Sequence, residues 1–421
     1  MKQVTFAILG MGDRGFVYAS KLLRYPEKAQ IVAIADLRQE RLSKANEVLK
    51  LPRERLFDSD AALLAQPKLA DIMIIASQDQ QHCRHAIAAM EAGYDLLLEK
   101  PIASKLEDVV KIAQTAKRLG RRVLVCHVLR YTTFYKEVRR IVREGLIGAV
   151  QMVEASEAVA YFHQAHSFVR GNWHNSQASS PMILAKCCHD LDILQWVIGK
   201  KCLKLNSFGS LSYFKKENAP EGSADRCFDC RVENCPYHAP TFYLSRIPGW
   251  PANIVTSDPT EENVLQALRE TDYGRCVFRM DNDVVDHQTV NMLMEDGVTV
   301  IFQMSGFTNI QNRDIRILGT EGELWGHFKK RELFYQRWGK EPVKIDLEAL
   351  CQDFTGHGGG DEGIIHDMIR LYRGEDFDTS SITYLEDSVD SHYMAYAAEE
   401  SRLAGGELVC MADFIKASQN T

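Results

Sequence analysis

The sequence lacks any run apolar and long enough to cross a bilayer. Its opening residues, Met1-Lys2-Gln3, lead straight into a strand-like run rather than a secretory signal. It lacks a basic excess: a net charge of −7 gives no reason to expect binding to nucleic acid or to an acidic membrane. It also lacks repeats and low-complexity tracts, which sets aside repeat architectures. What is present is an ordinary globular composition, 45% hydrophobic and 25% charged, in 421 residues, enough for two domains. Eleven cysteines without a signal segment predict reduced thiols and a cytoplasmic protein.

The first third alternates short buried strands with helices. Strand-like runs are Val4 to Leu9, Ile31 to Ala35, Asp71 to Ile75, Leu96 to Leu98 and Val123 to Cys126. Helical patterns lie between them, two of them stopped by Gly93 and Gly120. Such alternation predicts an α/β fold, with a doubly wound parallel sheet over residues 1–126. Beyond it the pattern changes to half-buried runs with period two, such as Val298, Val300, Phe302 and Met304, and a hairpin turn at Glu295-Asp296-Gly297. Residues 127–421 therefore read as an α+β domain with a large, mainly antiparallel sheet. One helix is expected from Met182 to Ile198, and a poorly ordered, cysteine-rich insert at about 215–240.

Gly10-Met11-Gly12-Asp13-Arg14-Gly15 fits G-x-G-x-x-G, directly after a strand and opening a helix. Gly10 would make the turn, Gly12 admit a pyrophosphate and Gly15 let helix and strand pack. The helix N-terminus then offers N–H groups to phosphate. The other reading, glycines serving only a turn, is weakened by Asp36, which lies twenty-one residues past Gly15 at the end of the second strand. An acid there would grip ribose hydroxyls and favours NAD; Arg38, two residues on, keeps NADP open.

The apolar strand Leu96 to Leu98 ends in Glu99-Lys100-Pro101. Ligands of open α/β sheets bind outside the carboxyl ends of the strands, so Lys100 is placed to donate to a reacting oxygen, with Glu99 orienting it. A surface ion pair at a strand end is the plain alternative. Lys186, His189 and Asp192, spaced by three on an otherwise apolar helix, form a second polar group; satisfied polar groups at a helix end are its alternative.

Together these residues resemble the glucose–fructose oxidoreductase and inositol dehydrogenase family, Gfo/Idh/MocA. The resemblance covers nearly the whole chain. It includes the glycine turn, Ala76-Ser77 and His82 in the nicotinamide crevice, Glu99-Lys100-Pro101, and Arg130-Tyr131 after the last parallel strand. It continues with Gly145-x-x-Gly148, His189-x-x-Asp192, the strand and turn Arg316 to Gly322, and Glu386-Asp387-Ser388. It implies a Rossmann domain followed by a large open sheet whose face often builds a homo-oligomer. It also implies NAD as cofactor and a sugar, cyclitol or similar polyol as substrate. Lys100 is implied as the residue on the reacting oxygen and His189 as general acid/base. Beside these implied roles, Arg130 and Tyr131 are expected to help bind substrate, and Lys186 and Asp192 to line the substrate site and tune His189. One departure matters: where members such as inositol dehydrogenase carry an aspartate four residues before the histidine, this chain has Ala185.

Three further features are open. Cys227, Cys230, Cys235 and His238 lie within twelve residues and could hold a structural zinc, with free thiols or a disulfide as the alternatives. The family's hydride chemistry calls for no catalytic metal. His357 and Asp361 flank a glycine run ahead of a helix and could reach a sugar, or simply form the helix entry. The polar residues Asn282, Asp283, Asp286 and His287 could bind a sugar or pack a loop. The expectation is an NAD-dependent oxidoreductase acting on CH–OH groups. Its rivals are a lyase, epimerase or glycoside-processing enzyme that uses tightly bound NAD for transient oxidation, and a non-catalytic NAD-binding sugar sensor.

Overall fold

The computed structural model describes residues 3–351 and 354–419. Six parallel strands form the first sheet: β1 (Val4–Leu9), β2 (Ala29–Ala35), β3 (Leu56–Phe57), β4 (Ile72–Ile75), β5 (Asp95–Leu98) and β6 (Val123–Val125). Their order, β3-β2-β1-β4-β5-β6, is that of dinucleotide-binding Rossmann folds. Strand β4 is apolar along its whole length and wholly buried, because helices cover both faces of the sheet. Thr132 closes this part of the chain by capping the next helix, Thr133–Arg143, through its side chain.

Nine strands form the second sheet: β7 (Val150–Ala158), β8 (Cys202–Ser210), β9 (His287–Met294), β10 (Thr299–Ser305), β11 (Asn312–Gly319), β12 (Gly322–His327), β13 (Glu332–Arg337), β14 (Val343–Lys344) and β15 (Val409–Cys410). The order is β14-β13-β12-β11-β7-β10-β9-β8-β15, with β7 and β10 the parallel pair. In β9 and β10 burial alternates strictly, as the period-two pattern requires, and Asp296 and Gly297 take positive φ at the hairpin between them. The inner face packs against Thr133–Arg143, Cys188–Ile198 and Leu385–Leu403 in one apolar cluster that continues beneath the first sheet. Helix Gly360–Arg373 returns to the first sheet and packs beside helix Asp13–Leu22.

Three local expectations change. The helix expected from Met182 to Ile198 is broken: Met182–Ala185 ends at Lys186, and a second helix, Cys188–Ile198, begins after Cys187. The region 215–240 is ordered by short helical turns and by the helix Ala239–Leu244. The glycines near 360 serve the chain's own packing. A Cβ on Gly360 would lie 2.2 Å from the Val128 carbonyl oxygen, and one on Gly363 2.8 Å from the Tyr131 Cβ. Their bareness lets helix Gly360–Arg373 seat against the turn Val128–Tyr131.

Candidate active site

The cleft opens at the carboxyl ends of β1, β4 and β5. Gly10 has φ +97°, and a Cβ there would sit 2.5 Å from the Ala76 carbonyl oxygen. A Cβ on Gly15 would sit 1.9 Å from the Gly10 carbonyl oxygen. Both positions admit glycine alone, and the turn they make presents the start of helix Asp13–Leu22, which has no side-chain cap at Gly12. Asp36 closes the turn from β2: its carboxylate accepts from the Met11 N–H at 2.7 Å and the Arg38 N–H at 2.9 Å. This bare helix start, flanked by an acid, fits a dinucleotide's pyrophosphate and ribose.

Arg14 turns away from the phosphate position. Its guanidinium binds Glu99 at 2.7 Å and Asp361 at 2.7 and 3.2 Å, and the Tyr18 hydroxyl donates to the same Glu99 oxygen at 2.6 Å. Asp361 in turn lies 3.1 Å from His357 Nδ1. Burial alone would raise the Glu99 carboxyl; Arg14 and Lys100 outweigh it and hold the group below its usual range. Asp361 is likewise lowered, against burial, by His357 and Arg14. Asp13, at the edge of this group, is raised by burial. His82 is wholly buried, its ring nitrogens 2.7 Å from the Pro101 carbonyl and 3.1 Å from the Ser77 carbonyl, so it ties the ends of β4 and β5 together. The Ser77 hydroxyl meets His85 at 2.8 Å.

Lys100 extends from this base across the cleft. Its Nζ donates to the main-chain carbonyl of Ala185 at 2.9 Å. That carbonyl is available because the helix stops there: the break after Ala185 removes the amide that would otherwise take it. Just beyond stands His189, 4% exposed, in ring contact with His127 (5.6 Å between centroids) and His357 (6.2 Å). Burial, then the charge of Lys100 and the neighbouring His127 and His357, holds the His189 imidazole far below its ordinary value, so it is neutral at pH 7. A neutral imidazole opposite an ammonium is the combination that accepts a proton from an alcohol while its oxygen is held.

The other expected substrate residues lie at different depths. Arg130 and Asp192 are buried and bind one another through two hydrogen bonds of 2.7 and 2.5 Å. Tyr131 is buried against Thr383, with its hydroxyl 3.1 Å from the Thr383 N–H. The Arg130–Asp192 pair holds the helix of His189 in place, while Tyr131 ties the turn Val128–Tyr131 to Thr383. Lys186 does not share their face: it lies 3.4 Å from Glu157 on β7. Arg313 on β11 joins Glu157 at 2.6 Å and Asp190 at 2.7 Å. Burial lowers Lys186, opposed by Glu157, and raises Asp190 to about 6. The residues near 283 are staples. Asp286 accepts from the Ser212 and Tyr213 N–H groups at 2.9 and 2.8 Å, and Asp283 from Ser176 at 2.6 Å.

The zinc set is not formed. His238 caps the helix Ala239–Leu244, with Nδ1 2.7 Å from the Thr241 hydroxyl. Among the described residues no group of three or more His, Cys, Asp or Glu side chains converges as a metal site. Cys227, Cys230 and Cys235 are thiols, and they line one small cavity together with Cys276.

Several residues of the site escape sequence reading. Arg313 shares a strand face with the buried Ile315 and Ile317, and Glu157 with the buried Val153. A charge at a core-facing strand position was the available signal. Tyr18, His127 and His392, whose ring lies 5.6 Å from that of His127, carried no local signal.

Two family models match the chain. The Gfo/Idh/MocA oxidoreductase family, NAD-binding Rossmann fold, covers residues 4–127, and the Gfo/Idh/MocA C-terminal domain covers 135–230. The chain is 23% identical to YteT of Bacillus subtilis (strain 168) over 402 residues, 89% of this chain and 90% of that protein. It is 27% identical to inositol 2-dehydrogenase 3 of Saccharopolyspora erythraea over 196 residues, 46% of this chain and 54% of that one. The match thus spans about half the length of that relative. Among solved structures, scyllo-inositol dehydrogenase from Lactobacillus casei, with bound NAD(H) and scyllo-inositol, has a TM-score of 0.66. At 16% identity, it covers 98% of this chain and 100% of its own.

Proposed function

The chain belongs to the Gfo/Idh/MocA oxidoreductase family, and from that premise we propose that it moves a hydride between NAD and a hydroxyl-bearing carbon of a sugar or cyclitol. The observation that carries the reading is Lys100 at the β5 end, its ammonium on the Ala185 carbonyl, with the neutral His189 beside it. NAD would supply the hydride acceptor at C4 of its nicotinamide. Lys100 would exchange the Ala185 carbonyl for the substrate oxygen and hold it. His189 would take the hydroxyl proton as the carbonyl forms. Asp192 and Arg130 position His189 by fixing its helix, and Glu99 orients Lys100 through the hydrogen bond it accepts from the Lys100 N–H at 2.9 Å. NAD is preferred over NADP because Asp36 would repel a 2′-phosphate, although Arg38 lies close by. His357, at the cleft edge with 42% of its side chain exposed, is the substrate-binding candidate best placed to meet a sugar hydroxyl.

A cyclitol or sugar fits the relatives, several of which are named for inositol. No helix among the described residues is long and apolar enough to cross a membrane; a cytoplasmic location is our reading of the thiol content. The outward face of the second sheet exposes Leu293 and Ile301, which suits a homo-oligomer.

The test is to purify the protein, identify the dinucleotide it carries by mass, and screen inositols, sugars and glycosides for NADH formation and product mass. Lys100→Met should lose turnover of whichever substrate is found while still binding NAD. Full turnover by Lys100→Met would overturn the mechanism. Substrate conversion without NADH release would favour transient oxidation by a retained cofactor.

A further inference from the structure

Strands β8 and β9 are antiparallel neighbours, yet residues 211–286 lie between them instead of a tight turn. This insert folds into the helices Ala239–Leu244, Ala252–Val255 and Glu261–Glu270, and much of it surrounds a small apolar cluster of its own. Its fastenings are informative. Lys44, on the helix that follows β2, donates to the Ser257 carbonyl at 2.9 Å. Tyr273 stacks on His166, with centroids 5.0 Å apart and planes 16° from parallel. His166 is itself fixed by the Tyr243 hydroxyl, 2.7 Å from its Nδ1. Burial raises the Tyr273 phenol, and the nearby charges of Arg38 and Arg41 oppose that rise. Arg41 lies 3.7 Å from Asp36, and its guanidinium nitrogen would be 3.5 Å from a Cβ on Gly12. Elsewhere in the insert, Trp250 meets edge-on at 5.0 Å the ring of His163, whose imidazole is held well below its ordinary value by burial and by the nearby charges of Lys186, His166 and Lys100. The insert therefore runs from the ribose end of the glycine turn toward the catalytic end of the cleft.

We propose that this insert is an outer wall of the dinucleotide site, in which Tyr273, together with Arg38 and Arg41, encloses the adenosine half of bound NAD and slows its release. The proposal rests on the reading of the Gly10–Gly15 turn as an NAD site and adds to it residues from the second domain. The glycine turn grips the cofactor from one side only; Tyr273 supplies an aromatic surface on the other, and the two arginines supply cations beside the ribose and phosphate. Stacking of a base on an aromatic side chain changes affinity by about tenfold to a hundredfold. The Lys44–Ser257 bond closes the wall against the Rossmann domain and has to open before the adenosine can leave.

The experiment loads the full-length protein with NADH and follows its release by fluorescence when excess NAD is added. Tyr273→Ala should release NADH at least tenfold faster, Lys44→Ala several-fold faster, and Tyr273→Phe at the wild-type rate. Binding of ADP-ribose should weaken in Tyr273→Ala, while binding of nicotinamide mononucleotide should not change. Circular dichroism confirms that each variant is folded, and Lys44→Ala, a surface change, carries the test if Tyr273→Ala is not. Unchanged release in both alanine variants would overturn the wall while leaving the NAD site intact. A wild-type protein that binds no NADH would instead overturn the underlying reading of the glycine turn.

Discussion

The Arg130–Asp192 pair gives the sharpest test of how His189 is held. The two side chains are 6% and 1% exposed and share hydrogen bonds of 2.5 and 2.7 Å. One sits on the turn Val128–Tyr131 after the last parallel strand; the other lies three residues past His189. Removing one partner leaves an uncompensated buried charge, which costs about 3–5 kcal/mol. Replacing both with apolar residues of similar volume is often close to neutral. Asp192→Leu and Arg130→Met, each alone, should therefore destabilise strongly. At roughly 2–4 °C per kcal/mol for domains of 150–250 residues, each single change should lower the melting temperature by several degrees or more. The double variant should recover most of that loss, with a coupling energy above about 2 kcal/mol in the cycle. The assay is thermal melting of the four proteins in one buffer. Two single variants that melt within a degree of wild type, or a double variant that loses the sum of both, would refute the argument that this is a mutually neutralising buried pair.

Other outcomes follow from the same geometry. Gly15→Ala puts a Cβ 1.9 Å from a main-chain oxygen that has no room to move, so NAD affinity measured by calorimetry should fall at least tenfold; wild-type affinity would contradict the turn's role. Acid should destabilise the fold early. Burial depresses His85, His127, His163, His166, His189 and His392, so the unfolded chain takes up protons first as pH falls below about 6.5. Stability present above that value is then lost toward the folded values, about 4 for His85, at roughly 1.4 kcal/mol per group and pH unit. Asp190, raised to about 6, works in the opposite direction together with the raised Asp13 and Asp192, but these are three groups against six. A melting temperature that stays flat down to about pH 4.5 would contradict this, since that range lies well below the ordinary histidine value. Arg313→Met leaves Glu157 and Asp190 with Lys186 alone, and should cost about 3 kcal/mol; denaturation by urea would show it, and an unshifted midpoint would count against the cluster.

The parts of this molecule that could be read from the sequence are those set by neighbours in the chain. Strand–helix alternation, the glycine turn with Asp36, and the lysine at the end of an apolar strand all follow from local pattern and spacing, and five of the six parallel strands follow from them; the two-residue β3 has no such pattern. The partners could not be read. Arg14 reads as part of the cofactor-binding turn, but its guanidinium binds Asp361, 347 residues away. Lys186, His189 and Asp192 look like one face of one helix, but the break after Ala185 sends Lys186 to Glu157 and Asp192 to Arg130. His238 looks like a ligand because of its cysteine neighbours, although an imidazole ahead of a helix can equally serve as its cap. In each case the side chain's identity was visible and its direction was not, because direction is fixed by elements far away in sequence.

Lys100 rests on a main-chain oxygen, and this has an evolutionary consequence. A side-chain partner can be lost by one nucleotide change; a carbonyl exposed by a helix break is present whatever residue occupies position 185. The seat of the lysine is therefore inherited with the backbone, and any side chain at position 185 that the surrounding apolar cluster accepts leaves that seat in place.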